Sequence, residues 1–166
     1  MGGSQYGNAA WRLLHTVLFM IRDYRPGDFW RLYEIDHICF RSDVSYSRAE
    51  LLFYLKHPQS ITRVAQMKKE ILGFAIGRIE TDRSAHVLTL DVVPEARRRK
   101  IGTALMASLH DAFKEQRVVR SFLEVDSADQ GAQLFYQAMN YRYVETLRGY
   151  YGGRSDAYRL MRVMTA

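Results

Sequence analysis

Val92-Val93-Pro94-Glu95-Ala96-Arg97-Arg98-Arg99-Lys100-Ile101-Gly102-Thr103-Ala104-Leu105 is the most informative stretch of this chain. A β-branched run stops at a proline, and four consecutive cations follow. A glycine then opens a run in which Ile101, Leu105, Leu109 and Phe113 recur at helical spacing. The pattern predicts a strand over His86–Val93 and an amphipathic helix over Ile101–Gln116. The first turn of a helix carries unpaired N–H groups and the positive end of the helix dipole, so this strand–turn–helix is a cradle for a phosphorylated anion. Gly102 removes a side chain where the backbone must approach the anion, and Arg97, Arg98, Arg99 and Lys100 add positive potential. A solvated basic turn would share this composition; the position between a strand end and a helix start favours the anion site.

Upstream, Met20–Asp23 reads as a short strand, and Pro26-Gly27-Asp28 opens a helix with Phe29, Leu32 and Ile35 on one face. Ser47 and Glu50 form a capping box for a second helix bearing Leu51, Leu52 and Leu55, which Pro58 ends. Ile61–Met67 and Ile71–Glu80 are strand-like and join the 86–93 run through turns at 68–70 and 81–84. Downstream come a strand over Arg120–Val125, a helix capped by Asp129 and running to about Ala138, and strands near Tyr141–Leu147 and Ala157–Val163. The expected fold is therefore a mixed α/β sheet, mostly antiparallel, with helices on both faces and one crossover to a parallel neighbour.

The totals fit one domain with its own core: 166 residues, 48% hydrophobic and 25% charged. The formal charge of +6 favours an anionic partner. Cys39 is the single cysteine, so no disulfide framework or cysteine zinc site is available, and a reducing cytoplasm is expected. The five histidines, His15, His37, His57, His86 and His110, show no metal-ligand spacing, and no metal is expected. Residues 1–19 read as an extension of unassigned role. Their apolar run from Trp11 to Phe19 is too short and too interrupted to span a membrane, and Met20 offers a second start. A nucleic-acid interface would interleave basic and aromatic residues over a face, whereas the densest basic cluster is one turn. Composition leaves the oligomeric state open.

The 92–105 segment resembles the acetyl-CoA-binding motif of the GNAT acetyltransferase superfamily, Gln/Arg-x-x-Gly-x-Gly/Ala. Arg97 fills its first position and Gly102 its last, while Lys100 stands where the first glycine is usual. A lysine can still offer its backbone amide there if it avoids positive φ. A second stretch, Leu123-Glu124-Val125 through Phe135-Tyr136 to Asn140-Tyr141, is similar to the C-terminal half of the same superfamily. Tyr150-Tyr151 followed by Ser155-Asp156-Ala157 is most like the ribosomal-protein-alanine and archaeal N-terminal acetyltransferases. The resemblance covers roughly Met20 to Val163.

What the resemblance implies is a GNAT acyl-CoA N-acyltransferase fold, acetyl-CoA as co-substrate, and a primary amine as acceptor. By position, Glu124 is the expected general base and Tyr136 the general acid. An ammonium must lose a proton before it can attack a thioester, and the departing thiolate needs one. Burial would raise the Glu124 carboxyl and make it a better base. Leu90, Asp91 and Val92 would supply a backbone donor to the thioester oxygen, with Ile101, Gly102 and Thr103 at the pyrophosphate. Asp91 is a reserve base. Asp129 stands where relatives contact the cofactor and is equally a helix cap. Each residue keeps a plain alternative: Glu124 as a solvent-facing strand carboxylate, Tyr136 as a core aromatic. Tyr150 and Tyr151, in the loop between the last two strands, would bind the acceptor. An α-amino group, with pKa near ~8 against ~10.4 for lysine, suits a modest base. A protein or peptide N-terminus is therefore the expected acceptor, with a lysine or small amine as the alternative and a non-catalytic acyl-CoA-binding module as the reading from another class.

Overall fold

The computed structural model describes residues 19–165, and the expected extension lies outside them except for Phe19. Strand β1 (Met20–Asp23) is followed by a 3-10 turn at Pro26–Asp28, whose Asp28 carboxylate binds Arg22 at 2.8 Å. Helix α1 (Phe29–Cys39) buries Phe29, Leu32 and Ile35, the face its spacing announces. Helix α2 (Arg48–Lys56) begins with the expected capping box: Ser47 accepts from the Glu50 N–H, and Glu50 accepts from the Ser47 N–H. Three strands follow, β2 (Ser60–Met67), β3 (Glu70–Ile79) and β4 (Ser84–Val92). Next come α3 (Ile101–Glu115), β5 (Arg120–Asp126) and α4 (Gln130–Ala138). The hairpin of β6 (Arg142–Tyr151) and β7 (Ser155–Val163) closes the described chain.

The seven strands form one sheet in the order β1-β2-β3-β4-β5-β7-β6. Every adjacent pair is antiparallel except β4–β5, the parallel neighbours that α3 joins. Helices cover both faces, as strand alternation requires. Leu90 leans toward Gly102 on α3, while its neighbour Asp91 meets Asp36 on α1 from the opposite side. The stripe of α3 is buried as expected, with Leu105, Leu109 and Phe113 at 0% exposure. Each such side chain contributes about 1.5–3 kcal/mol of burial. Close approach of α3 to β3 depends on Gly77, where a Cβ would lie 2.5 Å from the Phe113 ring.

One boundary differs from the sequence reading in a way that bears on function. Tyr150 and Tyr151 belong to the end of β6 rather than to a loop. Pairing lapses after Leu147 and resumes at Tyr151↔Ser155. The turn itself is 152–154, with Gly152 and Gly153 at φ 62° and 75°.

Candidate active site

The β4–β5 pairing is short: Ser84↔Arg120, Ala85↔Ser121 and His86↔Phe122, after which the strands separate. β5 stays paired to β7 as far as Asp126, so the separation opens a wedge instead of ending the sheet. The peptide groups facing the wedge follow from register. Val93 N–H donates to Leu72 on β3, so Thr89 and Asp91 point their backbone at β3, and Leu88, Leu90 and Val92 point theirs into the gap. The Leu88 carbonyl there accepts from the Tyr46 hydroxyl at 3.1 Å, and the Val92 carbonyl accepts from Arg97 Nε at 3.0 Å. The N–H of Leu90 or Val92 is thus the donor a polarised carbonyl oxygen in the wedge would meet, whereas that of Asp91 is turned toward β3.

Around this wedge lies a cleft of about 1070 Å³, larger than a drug-sized pocket. One end is the start of α3, lined by Arg97, Arg98, Lys100, Ile101, Gly102 and Thr103. A Cβ at Gly102 would lie 3.4 Å from Phe135, an ordinary contact, so packing alone does not demand glycine there. Arg99 and Asp91 do not line the cleft.

The other end holds Glu124, Tyr136, Tyr150 and Tyr151 together with His86. Glu124 Oε2 is 2.5 Å from His86 Nε2, and Oε1 accepts from Arg159 Nε and Nη2 at 3.1 and 3.0 Å. Its side chain is 7% exposed. This region can take a proton from an amine at one point and return one at another, while backbone donors polarise an acyl oxygen between them.

A family profile, described as the acetyltransferase (GNAT) family, matches residues 29–141. The chain belongs to the GNAT family. It is 26% identical over 159 residues to an N-alpha-acetyltransferase of Saccharolobus solfataricus, covering 87% of this chain and 92% of that protein. Among solved structures it resembles Ard1 from Thermoplasma volcanium, with 26% identity, a TM-score of 0.81, and 90% and 100% of the two chains covered. It has the fold of the Escherichia coli ribosomal-protein-S18-alanine N-acetyltransferase, at 20% identity, a TM-score of 0.81, and 89% and 95% coverage. The protein is accordingly an N-acetyltransferase, an enzyme that moves an acetyl group to an amine. Among the described residues no helix is long and apolar enough to cross a membrane, and no group of three His, Cys, Asp or Glu is placed to hold a metal ion.

Within this GNAT frame several expectations change. Burial does press the Glu124 carboxyl upward, but the hydrogen bond from His86, and then the hydrogen bonds and charge of Arg159, outweigh it and hold the group below the usual carboxylate range. Alone, Glu124 is a weaker base than the sequence suggests. Lys100 does not avoid positive φ; it sits at φ 63°, ψ 18°, and Arg98 at φ 62°. That explains why glycine is usual at Lys100: the chain turns through the left-handed region to present its amides, and a side chain there adds strain. Asp129 caps α4, its Oδ1 accepting from the Ala132 N–H at 2.9 Å, while also lining the cleft. Asp91 is 1% exposed and faces α1, which removes it as a base. Burial raises the Tyr136 phenol well above its ordinary value, so at neutral pH it carries the proton an acid must give.

His86 escaped the sequence reading. It lies on β4 with no motif around it, and only the pairing of His86 with Phe122, two residues before Glu124, brings it to the carboxylate. The remaining signal was slight: a histidine on a strand aimed at the wedge.

Proposed function

We propose that this enzyme transfers acetyl from acetyl-CoA to the α-amino group of a protein or peptide N-terminus by direct attack within a ternary complex. Acetyl-CoA fits the cleft's cationic end. Arg97, Arg98 and Lys100 surround a helix start whose free N–H groups suit a pyrophosphate. The gap between β4 and β5 leaves Leu90 and Val92 N–H to orient a thioester and hold its oxygen as charge develops.

The observation that carries the mechanism is the Glu124–His86 contact in that gap. With Oε1 held by Arg159, Glu124 fixes His86 by accepting from Nε2–H, which leaves Nδ1 as the lone-pair nitrogen. Imidazoles in general take a proton more readily than carboxylates at neutral pH. The incoming ammonium gives its proton to His86 Nδ1, and the positive imidazole is stabilised by Glu124. The amine then attacks the thioester carbon, the tetrahedral intermediate is held by the strand N–H, and Tyr136 protonates the departing thiolate while the proton still carried by the attacking nitrogen passes to the phenolate, which leaves a neutral amide, a free thiol and a restored Tyr136. Glu124 is thus the base's partner as much as the base itself.

Tyr150 and Tyr151, at the end of β6 and lining the acceptor side, would hold the peptide backbone. The N-terminal acceptor is supported by the relatives' activity and by the lower pKa of an α-amino group. A cytoplasmic setting belongs to the same proposal and rests on the lone cysteine. Thiol release from acetyl-CoA with a panel of free-N-terminus peptides, beside N-blocked peptides carrying an internal lysine, tests it. Release with the free N-termini alone is expected; release with the blocked lysine peptides alone would move the acceptor to a lysine side chain.

A further inference from the structure

Two carboxyl groups are buried where the established chemistry does not use them. Asp36, in the last turns of α1, and Asp91, on β4, are each 1% exposed and lie close enough that each carboxyl acts on the other. Each has one oxygen with a donor. The Tyr46 N–H donates to Asp36 Oδ2 at 2.7 Å, and the Thr89 hydroxyl donates to Asp91 Oδ1. The other two oxygens, Asp36 Oδ1 and Asp91 Oδ2, have no donor from the protein.

Two negative charges in this setting cannot both persist. At about 4 Å and an effective dielectric of about 20 they repel by roughly 4 kcal/mol, before any loss of hydration. Two protons would instead weaken the need for the Tyr46 and Thr89 donors. One proton satisfies every oxygen. We propose that Asp36 and Asp91 share a single proton between Asp36 Oδ1 and Asp91 Oδ2, and that this pair is a positioning device that pins the α1–α2 connection to the acetyl-transfer strand. Burial, and then the partner carboxylate for Asp91, push both groups up, Asp91 the further. The other charged or titratable groups facing the pair are His37, whose Nδ1 is 3.7 Å from Asp36 Oδ2, Cys39 on α1, Glu50 on α2, Arg97 beyond β4, Tyr46, and Tyr136 on α4.

The pin has a consequence for the site because the same segment grips β4 twice more. The Tyr46 hydroxyl holds the Leu88 carbonyl, and the Cys39 thiol, 3.4 Å away, holds the Val92 carbonyl. Leu90, whose N–H faces the wedge, lies between those attachments. The connection itself supplies Phe40, Asp43, Val44 and Tyr46 to the acceptor side of the cleft. The shared proton therefore sets the distance between acceptor wall and thioester strand, whichever amine is the acceptor. The sign follows from the raised values: the proton is bound below them, and as pH rises through them both carboxylates charge and the brace is lost.

Asp91→Asn is the informative variant. Its amide oxygen still accepts from Thr89, and its NH₂ donates to Asp36 at any pH. An infrared spectrum at neutral pH should show a protonated carboxyl C=O stretch in the wild type that Asp91→Asn lacks. The melting temperature of the wild type should fall relative to Asp91→Asn as pH rises from the ordinary carboxylate range through the raised titration of the pair. Asp91→Ala, which leaves Asp36 unpartnered, should raise acceptor KM about fivefold or more, the order expected for a lost buried hydrogen bond, with acetyl-CoA KM little changed. Absence of the protonated carboxyl band, or parallel melting curves for wild type and Asp91→Asn at all pH, would overturn the shared proton. An equal rise in both KM values would overturn the positioning role.

Discussion

At the scale of single residues, the proposed catalysis rests on who holds which proton. Glu124 is held low by His86 and Arg159, and Tyr136 is held high by burial, so at neutral pH a charged carboxylate and a neutral phenol line the same cleft. Glu124→Gln, His86→Ala and Tyr136→Phe are each expected to lower kcat by about 10²–10⁴-fold, the usual worth of a general acid or base. Acetyl-CoA affinity, measured by calorimetry, should stay near the wild-type value. Lys100 supplies a second prediction. Its left-handed backbone costs about 1–2 kcal/mol relative to glycine, while its ammonium sits at a helix start suited to an anion. Lys100→Gly should therefore gain about 1 kcal/mol of stability in denaturant titration and weaken acetyl-CoA about two- to fivefold, two effects of opposite sign from one substitution. Glu124, Tyr136 and Gly102 stand out as candidates in the sequence because each sits in a local motif. The contact between His86 and Glu124 does not, because it joins strands 38 positions apart. The same distance hid the low pKa of Glu124: burial is legible in an alternating strand, but the partners that overrule it are not.

At the scale of elements, the fold places its wedge through α3 and β5. Behind the sheet these two are joined by a buried chain: Arg162 Nη1 donates to His110 Nδ1 at 3.1 Å, His110 Nε2–H donates to the Tyr141 hydroxyl at 2.9 Å, and that hydroxyl bonds Ser121 at 2.7 Å. The chain requires a neutral imidazole. Burial, and then the Arg162 charge, lower the His110 pKa from 6.5 to about 4. A histidine whose folded pKa is depressed stabilises the fold above its unfolded value, and that contribution is lost as pH falls from about 6.5 toward about 4. The loss is of order 3 kcal/mol at most. His110→Gln keeps a donor for Tyr141 without titrating, so its thermal stability should decline less than the wild type's over that range. The elements themselves were largely written in the sequence. Helical stripes, the Ser47–Glu50 box and the proline stops located α1, α2, α3 and every strand but β6 to within a residue or two. The β6–β7 turn was misplaced because Gly149, also at positive φ, looks like a loop residue although the strand continues past it to Tyr151.

At the scale of the whole molecule, the parallel pair of the described sheet opens the cleft on which the proposed two-substrate reaction rests. The crossover through α3 brings a cationic helix start to one end of the cleft. The α1–α2 connection and the end of β6 wall the other. Order of elements announced this architecture, since a strand, a long amphipathic helix and a second strand imply a parallel pair. The divergence of β4 and β5 was not announced, because nothing in either strand's alternation records where its pairing stops. The amine proposed to be received at the acceptor end is a protein N-terminus. Mass spectrometric mapping of a single peptide bearing both a free α-amino group and an internal lysine, after incubation with enzyme and acetyl-CoA, puts the two amines in direct competition. One acetyl group on the N-terminal residue and none on the lysine is the expected result; acetylation of the lysine with the N-terminus left free would overturn the proposed acceptor.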